Sequence, residues 1–178
     1  MSRTTAGYTP DTARQRLYEL LNDETLSFGE KQERALDLGC AYLGVENGHI
    51  ERIRADEQTH EVVASAGESP ELAPEGTVLE RSKTFCRRTL ELDSPLALSD
   101  APNQGFGDDP AYLEYGVECY FGTTIFVDGE RYGTVCFVSP DAREKTFNTA
   151  EQTFIELLAR LLGREIESEQ HTSAVDRV

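Results

Sequence analysis

The feature that most constrains this chain is the dipeptide Asp128-Gly129, set between two β-rich runs at 118–127 and 130–138. Asp-Gly tolerates the positive φ angles of a type I′ turn, whose twist matches that of two antiparallel strands. A two-residue turn also ties the strands closely in register, so a long hairpin is expected here and an antiparallel sheet must be built around it.

Helical signals frame that hairpin. Thr9-Pro10-Asp11 supplies a capping hydroxyl followed by proline at the first helical position, and Ala13, Leu17, Leu20 and Leu21 form one apolar stripe that should end near Asn22. Ser27-Phe28-Gly29-Glu30 is a capping box for a second helix, carried to Tyr42 and stopped by Gly44. Thr149-Ala150-Glu151-Gln152 reads as a second capping box. It opens a long helix with Phe154, Ile155, Leu158, Leu161, Leu162 and Ile166 on one side, running to Glu169, with a disordered tail expected beyond Gln170.

Between these helices lie shorter elements. Two β-like runs at 49–54 and 60–66 resemble a hairpin, and the Gly-, Pro-, Glu- and Ser-rich stretch 67–76 reads as a loop. Ser82 is expected to cap a short helix holding Phe85, Cys86, Thr89 and Leu90, followed by a strand at 95–99. The segment 101–110 is too rich in Gly, Pro, Asn and Asp for regular structure, yet carries one aromatic, Phe106, whose side chain should be tucked in. Asp109-Pro110 then starts a short helix closed by Gly116. Helices and antiparallel strands in this order argue for an α+β domain.

At 178 residues the chain has the size of a single domain, here expected over 12–168, with an N-terminal tail at 1–11 and a disordered tail or linker at 169–178. No run of 18 apolar residues occurs and the first residues lack a secretory pattern, so a cytoplasmic protein is expected. Cys40, Cys86, Cys119 and Cys136 sit singly within apolar segments and read as buried thiols. The 33 acidic residues against 17 basic ones, a net charge of −16, disfavour nucleic acid and anionic membranes as partners. With Lys31, Lys83 and Lys145 the only lysines, the composition points to a protein adapted to high salt.

At this point the chain resembles the GAF domain family over residues 12–168. The resemblance rests on Leu38-Gly39-Cys40, Ser82-Lys83-Thr84-Phe85-Cys86, Pro95-Leu96-Ala97-Leu98-Ser99-Asp100, Tyr120-Phe121-Gly122-Thr123, Asp128-Gly129-Glu130-Arg131-Tyr132-Gly133-Thr134, and Phe147 before the last helix. It implies a GAF-like, PAS-like fold: a central six-stranded antiparallel sheet, terminal helices on one face and a ligand pocket on the other. It also implies a sensory role in a signal-transduction or transcription-control protein, of the kind found in archaeal multidomain regulators beside histidine-kinase, PAS or helix-turn-helix modules.

The pocket expected from the residues is composite: Phe85 and Cys86 from the short helix, Phe106 from the loop, Tyr112 and Tyr115 from the next helix, Tyr120 at a strand entrance and Asp100 at a strand end. The ligand's identity is open. A bilin-type anchor needs a cysteine followed by histidine, which the chain lacks. The Asn-Lys pair of cyclic-nucleotide GAF domains is replaced by Ser139-Pro140, and isolated histidines give no metal or haem spacing. A thiol enzyme resembling free methionine sulfoxide reductase would need Cys86 and Cys119 within disulfide reach. The competing non-enzymatic reading is a ligand-free dimerisation module, since the first and last helices could pair two copies.

The charge balance makes one prediction by itself. The unfolding midpoint should rise when KCl is raised from about 0.1 M to about 1 M, as the screening length falls from ~10 Å to ~3 Å; a midpoint independent of KCl would remove the high-salt reading.

Overall fold

In a computed structural model, residues 7–176 are described. Helix α1 (Pro10–Leu21) and helix α2 (Phe28–Leu43) lead into β1 (Asn47–Ile53) and β2 (Thr59–Gly67). There follow β3 (Val78–Glu80), the one-turn α3 (Cys86–Thr89), β4 (Leu96–Leu98) and the short α4 (Pro110–Tyr115). The long hairpin β5 (Cys119–Val127) and β6 (Glu130–Ser139) and the final helix α5 (Thr149–Asp176) complete the chain. The strands form one sheet in the order β3-β2-β1-β6-β5-β4, and every neighbouring pair is antiparallel.

Local chemistry accounts for most of the boundaries. Thr9 caps α1 with Thr12 returning the bond, Ser27 and Glu30 form the box that opens α2, and Gly44 closes α2 in the left-handed region at φ 67°. At the β5–β6 turn Asp128 and Gly129 both have positive φ, 50° and 81°, as the type I′ reading requires. Three expectations need correction. The box at the start of α5 is Asn148 with Glu151, each side chain bonding the other's backbone N–H, one residue before the expected pair. Ser82 caps nothing: it lies in a 3-10 turn, Arg81–Lys83, and α3 starts after Phe85 without a side-chain cap. The last helix does not stop at Glu169 but continues to Asp176, because Glu, Gln, Ser and Ala in this stretch sustain a helix even though residues 168–175 are exposed. Of the expected N-terminal tail, residues 1–6 lie outside the described residues and α1 already begins at Pro10.

The sheet divides the interior in two. On one face Ile50, Val135, Phe137, Phe121 and Ile125 pack against α1, α2 and α5, with Leu17, Leu36, Leu43, Phe154, Ile155, Leu158 and Leu162 fully buried among them. On the other face a smaller cluster gathers Phe85, Cys86, Tyr120, Cys136 and Val138 beneath α3, α4 and the connecting loops. The apolar stripes of α1 and α5 are mostly consumed by packing within the chain.

Helix α5 approaches the sheet very closely at Gly163, where an added Cβ would collide with the carbonyl oxygen of Phe126. Replacing a mid-helix glycine with alanine ordinarily gains up to about 1 kcal/mol. Gly163→Ala should instead lose about 1–3 kcal/mol through overpacking, read as a lower denaturant midpoint; a stabilised variant would show that the contact is not tight.

Candidate functional site

The cavity lies on the sheet face that the long helices leave uncovered. It has a volume of about 70 Å³ and is partly open to solvent. Its walls are apolar: Leu72, Ala73 and Leu79 on one side, Phe85 and Ala111 above, Val117 and Val138 at the far end. Its floor is the polar part, contributed by His49 and Glu51 of β1, Cys136 of β6, Tyr120 of β5 and Cys86 of α3.

Strand alternation explains why these side chains meet. Residues two apart on a strand share a face, and residues directly opposite on paired strands share it too. His49 stands opposite Cys136, and Glu51 opposite Thr134. Cys136 in turn stands opposite Gly122, and Val138 opposite Tyr120. All of these therefore point away from the helices, toward α3. His60, from β2, joins Glu51 from the neighbouring strand, its Nδ1 3.4 Å from the Glu51 carboxylate.

The floor is a dense, buried polar cluster. His60, His49 and Glu51 retain 0%, 3% and 4% of their exposure. The Cys86 sulfur accepts hydrogen bonds from the hydroxyls of Tyr120 (3.4 Å) and Thr134 (3.3 Å), and the Cys136 thiol points at Glu51 Oε1 at 3.9 Å. Thr89 lies 2.8 Å from the Tyr120 hydroxyl, fixing the ring over Cys86. The titrations reflect this crowding. Hydrogen bonding from Cys136 holds the Cys86 thiol below its ordinary range against burial, and the same interaction together with burial pushes Cys136 well above it. Burial works against charge on Glu51 and on His60 alike. Their mutual contact and Cys86 outweigh it, lowering Glu51 and raising His60 to about 9. Burial, followed by the nearby sulfurs, raises the Tyr120 phenol far above its usual value.

Of the residues expected from sequence, Phe85, Cys86, Tyr115 and Tyr120 line the cavity. Asp100, Phe106 and Tyr112 do not. The Asp100 carboxylate accepts from Asn103 Nδ2 and its backbone N–H is held by Gln104, so it organises the loop turn. Phe106 is tucked in as expected, but against the outside of the wall, edge-on to Phe85 at 6.1 Å and beneath the Arg88 guanidinium. Tyr112 packs at the cluster's margin. His49, Glu51, His60 and Cys136 were not anticipated, because nothing near them in sequence marks them; only pairing between strands brings them together. Cys119 faces the helix side of the sheet, where burial pushes its thiol up to about 12, so the sheet separates it from Cys86 and the two cannot approach for disulfide chemistry.

A six-stranded antiparallel sheet closed on one face by terminal helices and hollowed on the other above a polar floor defines an α+β domain of the GAF type. The chain belongs to the GAF domain family, whose model matches residues 27–166. GAF domains are generally sensory or regulatory modules. Similar solved structures include the GAF domain of a phosphoenolpyruvate-protein phosphotransferase from Coxiella burnetii, 18% identical, covering 94% of this chain and 99% of that one at a TM-score of 0.73. The corresponding Acinetobacter domain is 14% identical, covering 97% and 99% at 0.72. Free methionine-R-sulfoxide reductase from Neisseria meningitidis is 13% identical, covering 94% and 95% at 0.71. At these identities the likeness is one of fold. No curated protein matches the chain.

The loop wall is pinned by one buried carboxylate. Asp109 caps α4 through the Ala111 N–H and binds Arg87 (2.8 Å) and Arg88 (2.6 Å). Burial opposes its charge, but these partners outweigh it and hold the carboxyl below its ordinary value of 3.8. The stability it contributes is complete above that value and is lost as pH falls through the lowered one. Asp109→Asn, which keeps the cap, should cost about 2 kcal/mol at neutral pH and flatten the acid limb of stability against pH; equal acid sensitivity in both proteins would assign that limb to other groups.

Proposed function

We propose that this domain is a ligand-responsive regulatory module: a small, largely apolar molecule with a polar end enters the cavity, and its binding alters the set of the terminal helices. The observation that supports this is the cavity itself, apolar-walled with a few convergent polar groups and, at about 70 Å³, sized for a small occupant. A route from cavity to helix is also present. β5 and β6 carry Tyr120 and Cys136 into the floor, while the tip of the same hairpin is held to α5 by the Asp128 N–H on Glu167 (2.8 Å) and by the close approach of Gly163 to Phe126. A ligand signals through that route only if it binds two arrangements with different affinity.

In this reading the chain is a cytoplasmic, salt-adapted input domain joined to a kinase, PAS or helix-turn-helix module, pairing with a second copy through α1 and α5. A ligand-free dimerisation scaffold is the rival, and the state of the cavity separates the two.

Native mass spectrometry of protein purified in KCl, compared with the denatured mass, should reveal a retained small molecule on a dimer. At about a hundredfold excess over its Kd, returning that molecule to stripped protein should add about 2.7 kcal/mol, or roughly 5–10 °C in Tm for a domain of this size. Ala73→Phe, which fills the wall, should abolish the shift. A dimer of bare chains that no extract fraction stabilises would favour the scaffold, and a bare monomer would also discard pairing through the helices.

A further inference from the structure

The floor of the cavity contains an arrangement that binding an apolar molecule does not require. Glu51, Cys86 and Cys136, from β1, α3 and β6, present a carboxylate oxygen and two sulfurs that all lie within 4.8 Å of one another, and all three residues are buried. Two imidazoles flank them, His60 against Glu51 and His49 opposite Cys136 in the strand ladder. Among the described residues, the Nε2 atoms of both histidines are buried without a hydrogen-bond partner. A buried imidazole nitrogen left unpaired is costly, and two beside a carboxylate and two thiols is an unusual concentration of unspent donors.

We propose that Glu51, Cys86 and Cys136, completed by one of the flanking histidines, bind a single thiophilic divalent cation, zinc being the first candidate. The donor set selects the metal: two sulfurs with one oxygen and one nitrogen suit zinc and disfavour magnesium or calcium, which take oxygen donors. The geometry is close to what zinc needs. Zn–S bonds of about 2.3 Å and Zn–O bonds of about 2.0–2.2 Å in a tetrahedron put neighbouring donors about 3.5 Å apart, so the three have roughly 1 Å to contract. Binding displaces to solvent the protons the two thiols hold, and that of His60 as well where His60 supplies the nitrogen, leaving two thiolates, a carboxylate and a neutral imidazole around the cation with no change of oxidation state. The cation would lock three elements together, joining α3 and the loop wall to the central strands. The proposal does not depend on an organic ligand, and its failure leaves the regulatory reading of the cavity standing.

The test uses the full chain, reduced with a phosphine, stripped with a chelator and titrated with Zn²⁺, Co²⁺ and Mg²⁺. One equivalent of Zn²⁺ should bind with a rise in Tm, Mg²⁺ should give none, and the Co²⁺ form should show the near-ultraviolet sulfur-to-cobalt charge-transfer band. Cys86→Ser and Cys136→Ser should each weaken Zn²⁺ binding by roughly a hundredfold, the upper end of what losing even a supporting outer partner costs. Glu51→Gln should weaken it while keeping the sulfur band, and Cys40→Ser and Cys119→Ser should change neither. If a serine variant fails to fold, X-ray absorption on the wild-type Co²⁺ form decides, with two sulfur neighbours expected. Absence of stoichiometric Zn²⁺ binding by the reduced protein, a Co²⁺ form without the sulfur band, or equal losses from Cys119→Ser and Cys86→Ser would overturn the assignment.

Discussion

Cross-strand register through β1, β6 and β5 is the constraint on which the remaining structure depends. Because the side-chain period of a strand is two, one step of register would exchange every inward and outward residue of the hairpin. Phe121, Phe137 and Ile50 would lose their places under α1, α2 and α5, while Tyr120 and Cys136 would be driven into the helix layer. The helix-facing core is predominantly apolar and extensive, so its burial holds the register strongly. The opposite face can then tolerate polar side chains that no self-folding core would choose.

That tolerance is what the cavity floor exploits. Glu51, His49 and His60 sit almost out of contact with solvent, and Glu51 and His60 offset each other's charge across 3.4 Å. A buried pair of this kind adds little net stability, since desolvation of both partners consumes most of the attraction. The same cluster leaves the Nε2 atoms of His49 and His60 without a hydrogen-bond partner among the described residues, beside a Cys86 sulfur held by two hydroxyls. On this face His49, Glu51, Tyr120 and Cys136 come from strands, Cys86 and Ala111 from short helices, and Leu72 and Ala73 from the connection after β2.

The terminal helices answer a different demand. α5 is anchored by Phe154, Ile155, Leu158, Leu162 and Ile166, then continues as an exposed helix to Asp176. Lys31 joins α2 to Glu165, and Arg143 binds Glu151 while covering the Phe147 ring, which stacks on Phe121 at 4.1 Å. The helix layer and the hairpin are therefore packed together, with the hairpin tip bonded to α5 and Gly163 set close against Phe126.

Local chemistry determined a good deal of this protein. Thr9, Ser27, Gly44, Asp109 and Asp128-Gly129 set their helix ends and turn through bonds within a few residues, and the apolar stripes of α1, α2 and α5 declared which faces were buried. The order and spacing of short motifs then carried the family. The cavity floor was not legible in the same way. A regular ladder counted from the Val127–Glu130 pair would set Cys136 opposite Phe121, on the helix side; an irregularity between Ile125 and Phe126 sets it opposite Gly122 instead. A second irregularity after Ile50 places Glu51 opposite Val62, so that it shares a face with His60. Bulges of this kind are settled by how the whole sheet twists against its helices, a sum over distant contacts. Capping and amphipathic pattern are near-neighbour properties that a sequence carries openly, whereas the meeting of Glu51, His60, Cys86 and Cys136 exists only once the sheet has closed.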